Sequence, residues 1–200
     1  VFLSLAVVGS ASLAWWWQSY KKKKSNRHAP GSKASLIEAH ILSTQKPAAL
    51  LGIRVGAYYN DDNNNTATSL TLTAPLSKNH NVHGTAFAGS LYSVAVLSSY
   101  YLLRQWLIVE QQQGSNNNYT LVAKSANIQY KRPVSCEYIV AKSTLLPSRL
   151  EEFLEELLRS GKATVFVDGV VLLPPFNDDD DKKKIACTYS AELCAYLPKS

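Results

Sequence analysis

Residues 84–103 read GTAFAGSLYSVAVLSSYYLL, twenty positions with no charge before Arg104. A run of this kind is either a membrane span or a helix enclosed on nearly all sides by a globular fold. Its four serines, one threonine and three tyrosines count against insertion, and the segments flanking it look like strands rather than membrane loops. The enclosed helix is the better reading. Small residues crowd its first turns (Ala86, Ala88, Gly89 and Ser90), so backbone can approach closely there. That combination predicts a sheet wrapped around the helix.

Outward from the helix, the pattern changes to a period of two. Upstream, residues 54–59 and 67–76 alternate, with Leu70, Leu72 and Ala74 on one face, and the Asn/Asp-rich tract 60–65 between them suits a hairpin loop. Residues 36–51 carry apolar side chains at helical spacing (Leu36, Ile37, Ile41 and Leu42), interrupted by Pro47, which predicts a broken helix. Downstream, residues 119–131 set Val122, Ala126, Ile128 and Tyr130 against Ser125, Asn127 and Gln129, and Pro133 ends the strand. Residues 137–146, 162–173 and 185–197 read as further strands, and 149–160 as a short amphipathic helix. The fold class is α+β: about six antiparallel strands around one long helix. The low-complexity tracts 111–118 and 178–184 are loops. Four consecutive aspartates from Asp178 make a solvated tip rather than a metal site, because adjacent carboxylates diverge. No metal or cofactor is expected.

The net charge of +6 invites a nucleic-acid reading, but its distribution removes it. Lys21, Lys22, Lys23, Lys24, Arg27 and Lys33 all precede the first acid, Glu38, and account for the whole excess of 21 Lys/Arg over 15 Asp/Glu. The remainder is electrically balanced, so no phosphate-tracking surface is expected. Residues 1–17 are uncharged and end in Trp15, Trp16 and Trp17, followed by Tyr20 and the lysine cluster. Aromatic rings followed by lysines mark a membrane exit on the positive side. Seventeen helical residues span about 25 Å, and a few residues upstream of Val1 would complete a single-pass anchor. The rival is a secretory signal peptide with Ser12 and Ala14 near its cleavage site, against which the three tryptophans argue. The expected organisation is an anchor over 1–20, a basic linker over 21–35 and one domain over 36–200. Cys136, Cys187 and Cys194 have no short paired spacing and read as reduced thiols; Cys187 and Cys194, seven apart in one strand, point to opposite faces.

The segment NVHGTAFAGSLY (81–92) resembles the signature of hotdog-fold acyl-thioesterases. The phenylacetate-degradation type has Asn-x-x-Gly-x-x-His-Gly-Gly, with an Asp nine residues after the His. The segment is more similar to the thioesterase-type domain forming the C-terminal half of bacterial YiiD proteins, with Asn-x-x-Gly-Thr-x-Phe-x-Gly-Ser-Leu-Tyr. The later SANIQYKRP (125–133) looks like the strand that lines the same site, and the resemblance covers about residues 36–198. It keeps Asn81, Gly84 and Gly89; the histidine of the first pattern is Phe87 here, and its carboxylate is Val96.

The resemblance implies a hotdog fold and a homodimer with sites at the shared interface. It also implies that the domain binds acyl-CoA or an acyl carrier protein. Asn81 and Ser125 are the expected catalytic residues, and Gly84, Phe87, Ala88, Gly89 and Ser90 the expected substrate-binding ones. Unpaired N–H groups at the helix start, around Ala88 to Ser90, suit a thioester carbonyl oxygen on which charge develops. The bland alternatives are specific. Asn81 is also a natural turn or N-cap residue, Ser125 serves only if its strand face points to the helix start, and Ser93 suits simple packing. His80 and His83 flank Asn81, and loop histidines of this kind are mostly just exposed. Lys131 and Arg132 are candidates for the phosphates of a carrier arm. Three activities are compatible: thioester hydrolysis, decarboxylation of a malonyl thioester, which needs no water-activating carboxylate, and binding without turnover.

Overall fold

The computed structural model describes residues 31–59, 68–112, 119–174 and 185–197. The expected anchor, the greater part of the basic linker and the aspartate tract lie outside the described residues. Among those described, no helix is long and apolar enough to cross a membrane.

The chain enters through two short helices, α1 (Lys33–Thr44) and α2 (Lys46–Leu51), separated where Pro47 cannot continue the first. The Ser32 side chain caps α1 by accepting the Ser35 N–H at 3.2 Å. Gly52, with φ of 70°, ends α2 in the left-handed conformation. Then follow β1 (Arg54–Tyr59), β2 (Thr68–Pro75), a single 3-10 turn (Leu76–Lys78) and the long α3 (Ala88–Gln112). The rest of the domain is β3 (Thr120–Tyr130), β4 (Tyr138–Leu145), α4 (Pro147–Ser160), β5 (Lys162–Leu172) and β6 (Ile185–Tyr196). The expected six strands are present as one antiparallel sheet in the order β1-β2-β4-β5-β6-β3.

The uncharged stretch does form the central helix, with corrected ends. It begins four residues after Gly84, because residues 80–86 fold into a separate turn, and it continues well past Leu103. Leu91, Val94 and Ala95 are buried, and Tyr101, Leu102 and Leu103 are buried in succession, so almost no side of the middle of the helix meets water. The sheet covers one side. On the other, α1 packs against Tyr101: the Tyr101 hydroxyl lies 3.2 Å from Thr44 Oγ1, and the His40 ring meets the Tyr101 ring edge-on at 6.0 Å. Each such apolar side chain contributes about 1.5–3 kcal/mol on full burial, which is why the helix needs no charged face.

Strand faces follow the period of two except at register irregularities, which occur between Val55 and Ala57, between Ala123 and Ser125 and between Val171 and Leu172. Leu70, Leu72 and Ala74 of β2 are all fully buried. In β3, an irregularity between Ala123 and Ser125 shifts the register. Leu121 is buried before it, whereas Ala126 and Ile128 are half-buried after it. Val122, expected on the inward face, is therefore 37% exposed. Cys187 and Cys194 do sit at opposite parity along β6, yet both are buried.

Candidate functional site at the start of the central helix

Residues 79–87 form a closed turn that delivers α3 into the sheet. An isolated bridge pairs His80 with Ala86, and the Ala86 N–H donates to the Val134 carbonyl at 2.8 Å, tying the turn to the segment before β4. Gly84 has φ of 73°, a conformation other residues adopt at a cost, and its N–H closes the turn on the Asn81 carbonyl at 3.1 Å.

Asn81 sits inside this turn, and its side chain is used within it. Oδ1 accepts the His83 N–H at 2.9 Å and the Thr85 N–H at 3.2 Å, while Nδ2 donates to Thr85 Oγ1 at 2.9 Å. This is the turn-forming alternative, realised by an Asx-type pattern. Asn79, which the sequence reading did not single out, is the more buried asparagine at 2% exposure. Its Nδ2 donates to the Leu51 and Pro75 carbonyls at 2.8 and 2.7 Å, and its own backbone carbonyl accepts the Phe87 N–H at 2.7 Å. Asn79 thus joins the end of α2, the end of β2 and the entry to α3. Its Oδ1 is buried without a partner among the described residues.

At the helix start, the first N–H to find a carbonyl belongs to Leu91, which donates to Phe87 at 3.0 Å. The N–H groups of Ala88, Gly89 and Ser90 precede it and carry the positive end of the helix dipole. The Phe87 ring lies across Gly89: a Cβ there would meet a ring carbon at 2.5 Å, so only glycine leaves the ring in place. Phe87 is half-exposed, Ala88 exposed and Ser90 buried, and the Ser90 hydroxyl has no hydrogen-bond partner among the described residues. Ser93 is spent on the helix, donating to the Gly89 carbonyl at 2.8 Å. Val96 is half-buried.

Ser125 does not join this group. It pairs with Glu192 across β3 and β6 and donates to Glu192 Oε2 at 2.9 Å, on the face of the sheet away from α3. Glu192 also holds Lys124; the hydrogen bonds from Lys124 and Ser125 keep its carboxyl below the usual range. Simple alternation from Ser125 onward puts Ala126, Ile128 and Tyr130 on the helix side and Ser125 on the other. The residue of β3 that reaches the helix start is Tyr130, whose hydroxyl donates to the Ala88 carbonyl at 3.1 Å. Burial pushes its phenol pKa up, with smaller contributions from Cys187 and Tyr92, so it serves as a neutral donor rather than a base. The even-numbered apolar set of β3 was the available signal for Tyr130. His83 is exposed, and the His80 ring lies 3.0 Å from the Asn81 carbonyl.

Two open grooves of about 550 Å³ each lie elsewhere, one beside Arg149, Phe153 and Phe166 and the other over Asn127, Gln129 and Thr188. Neither includes a residue of the 79–92 segment. Both are broad surface depressions.

Residues 48–175 match a family model described as "Putative thioesterase (yiiD_Cterm)". Among solved structures, a protein of unknown function from Chlorobaculum tepidum is similar at 22% identity over 82% of this chain and 94% of its own, with a TM-score of 0.68. A protein from Shewanella oneidensis, titled a putative thioesterase, is similar at 23% identity over 82% and 97%, with a TM-score of 0.60. A thioesterase from Haemophilus influenzae is similar at 14% identity over 83% and 92%, with a TM-score of 0.53. At these identities the likeness is one of fold.

Proposed function

The chain belongs to the thioesterase family of YiiD C-terminal domains, with a hotdog-type fold, and on that premise we propose that it hydrolyses an acyl thioester of CoA or of acyl carrier protein at the start of α3. The observation that carries this reading is the set of free N–H groups at Ala88, Gly89 and Ser90, on a helix held by the sheet. In the proposed reaction water adds to the thioester carbonyl carbon while the carbonyl oxygen faces these donors, which stabilise the charge forming on it; the adduct collapses with cleavage of the C–S bond, and the departing sulfur takes up a proton given up by the water. The Asn81 turn and Asn79 hold the donors in place, so little reorganisation is needed as the charge develops. Tyr130 fixes the first helical carbonyl, and the half-exposed Phe87 ring gives the substrate an apolar wall beside Gly89.

Val96, in place of the carboxylate of the phenylacetate-type signature, favours a second reading: decarboxylation of a malonyl thioester. There the same N–H groups would hold the enolate oxygen, and no residue need activate water. The partner is proposed to be a second copy of this chain. Among the described residues β3 closes the sheet order with its outer edge unpaired, and exposed Val122 and Tyr130 lie on it, with Phe87 and Tyr92 at the helix start.

The test is to assay the full chain, in mild detergent, with acyl-CoAs from acetyl to palmitoyl and with malonyl-CoA, following thiol and carbon dioxide together. Thiol release from acyl-CoAs is expected; carbon dioxide without thiol would identify the decarboxylase. Binding without either product would leave a thioester-binding module. Gly89→Ala keeps the backbone N–H but displaces the Phe87 ring, and is expected to lower kcat/KM by about tenfold or more through misplacement of the substrate.

A further inference from the structure

Beneath the third turn of α3 lies a group of hydroxyls that the proposed chemistry does not use. Ser98 and Ser99 of α3, Ser143 of β4 and Tyr189 of β6 are all buried. Tyr189 Oη lies 2.8 Å from Ser98 Oγ and 2.9 Å from Ser143 Oγ; Ser98 and Ser143 also meet, so the three form a closed ring. Ser99 Oγ joins at 3.0 Å from Ser143 Oγ. Tyr189 reaches Ser143 because the residue between them, in register on β5, is Gly169: a Cβ there would stand 2.3 Å from the Tyr189 ring. The tyrosine therefore lies flat across β5, and the ring occupies the space between the helix and three neighbouring strands.

We propose that this ring is the stop that limits acyl chain length, an inference that rests on the thioester reading above. An acyl chain that enters at Ala88–Ser90 and runs beneath the helix first meets Leu91, Val94 and Ala95, apolar side chains that can yield to an apolar chain. Nine residues beyond Gly89, about 13 Å along the helix axis, it meets the ring at Ser98. With Ser98 and Ser99 also within reach of the Ala95 carbonyl, six hydrogen-bonding pairs share the protons of four hydroxyls. All four protons are thus committed within the group, which has none left to offer a ligand. An alkyl chain driven through it would separate hydroxyls that have no water to turn to. Short acyl groups end before the ring, and long ones do not.

The experiment measures kcat/KM of the full chain for butyryl-, octanoyl- and palmitoyl-CoA, in the natural protein and in Tyr189→Phe, Ser143→Ala and the double variant. The natural protein is expected to favour butyryl over palmitoyl by at least about tenfold, the discrimination that one stranded hydroxyl supplies. The double variant is expected to reduce that ratio severalfold while still turning over butyryl-CoA. If the natural protein takes palmitoyl as well as butyryl, the inference is overturned. It is equally overturned if folded variants, judged by circular dichroism, leave the ratio unchanged. Should the double variant fail to fold, Tyr189→Phe alone decides, since it keeps the aromatic ring over Gly169. If no chain length is turned over, the same series is read as binding by calorimetry, with the same ratio deciding. Neither turnover nor binding at any length would remove the thioester reading itself.

Discussion

Asn79 and Asn81 stand two residues apart and solve different problems. Asn81 satisfies its own turn at the surface, whereas Asn79 links three elements from a buried position. Asn81→Ala is expected to destabilise the fold by about 1 kcal/mol, because the two N–H groups it leaves are free to meet water. Asn81→Asp keeps the acceptor and is expected to recover most of that loss in thermal unfolding. Full stability in Asn81→Ala together with lost turnover would instead make its role chemical. The buried acids of β6 set an alkaline limit. Burial raises Cys187 from 9.0 to about 11 and Tyr189 from 10.0 to about 12, opposed for Tyr189 by its bonds to Ser143 and Ser98. Both shifts favour the neutral form in the fold, so their contribution is whole below pH 9 and is lost as pH rises through 11 and 12. Urea midpoints are expected to fall across that window, and Tyr189→Phe is expected to flatten its upper part.

At the scale of elements, β5 has room for one residue type at position 169. Gly169→Ala is expected to cost about 1–3 kcal/mol in denaturant unfolding, since the added Cβ meets the Tyr189 ring rather than a flexible chain end. Tyr189→Phe is expected to cost less than about 1 kcal/mol, because the remaining hydroxyls can re-pair among themselves. A larger loss for the phenylalanine than for the alanine would reverse this account. The central helix, the strands and the break at Pro47 were legible in the sequence because each depends on a local period or a local steric rule. The irregularity in β3 was not. A single extra residue changes which side chains face the helix, and no spacing in residues 120–130 announces it. It puts Leu121 rather than Val122 on the helix side, while Ser125 and Tyr130 keep the faces that simple alternation gives them.

For the whole molecule, the unpaired edge of β3 and the exposed aromatic residues at the start of α3 belong to one surface question. The full chain is expected to run in light scattering at twice its 22.0 kDa. A monomer at micromolar concentration would show that β3 is left as a free edge. The basic segment that carries the net charge precedes the sheet, so association is expected to depend little on salt.

The sequence by itself determined the class of fold, the enclosed helix, the balanced charge of the domain and the motif at 81–92, all of which rest on neighbours along the chain. Only the tertiary structure decided what the motif does. Asn81 closes a turn, Phe87 covers Gly89, and the N–H groups of Ala88 to Ser90 stand at the start of a helix whose third turn meets buried hydroxyls of β4 and β6. Those assignments depend on strand register and on which residues meet across the sheet, and pairs as far apart as Ser98 and Tyr189 leave no trace in local spacing.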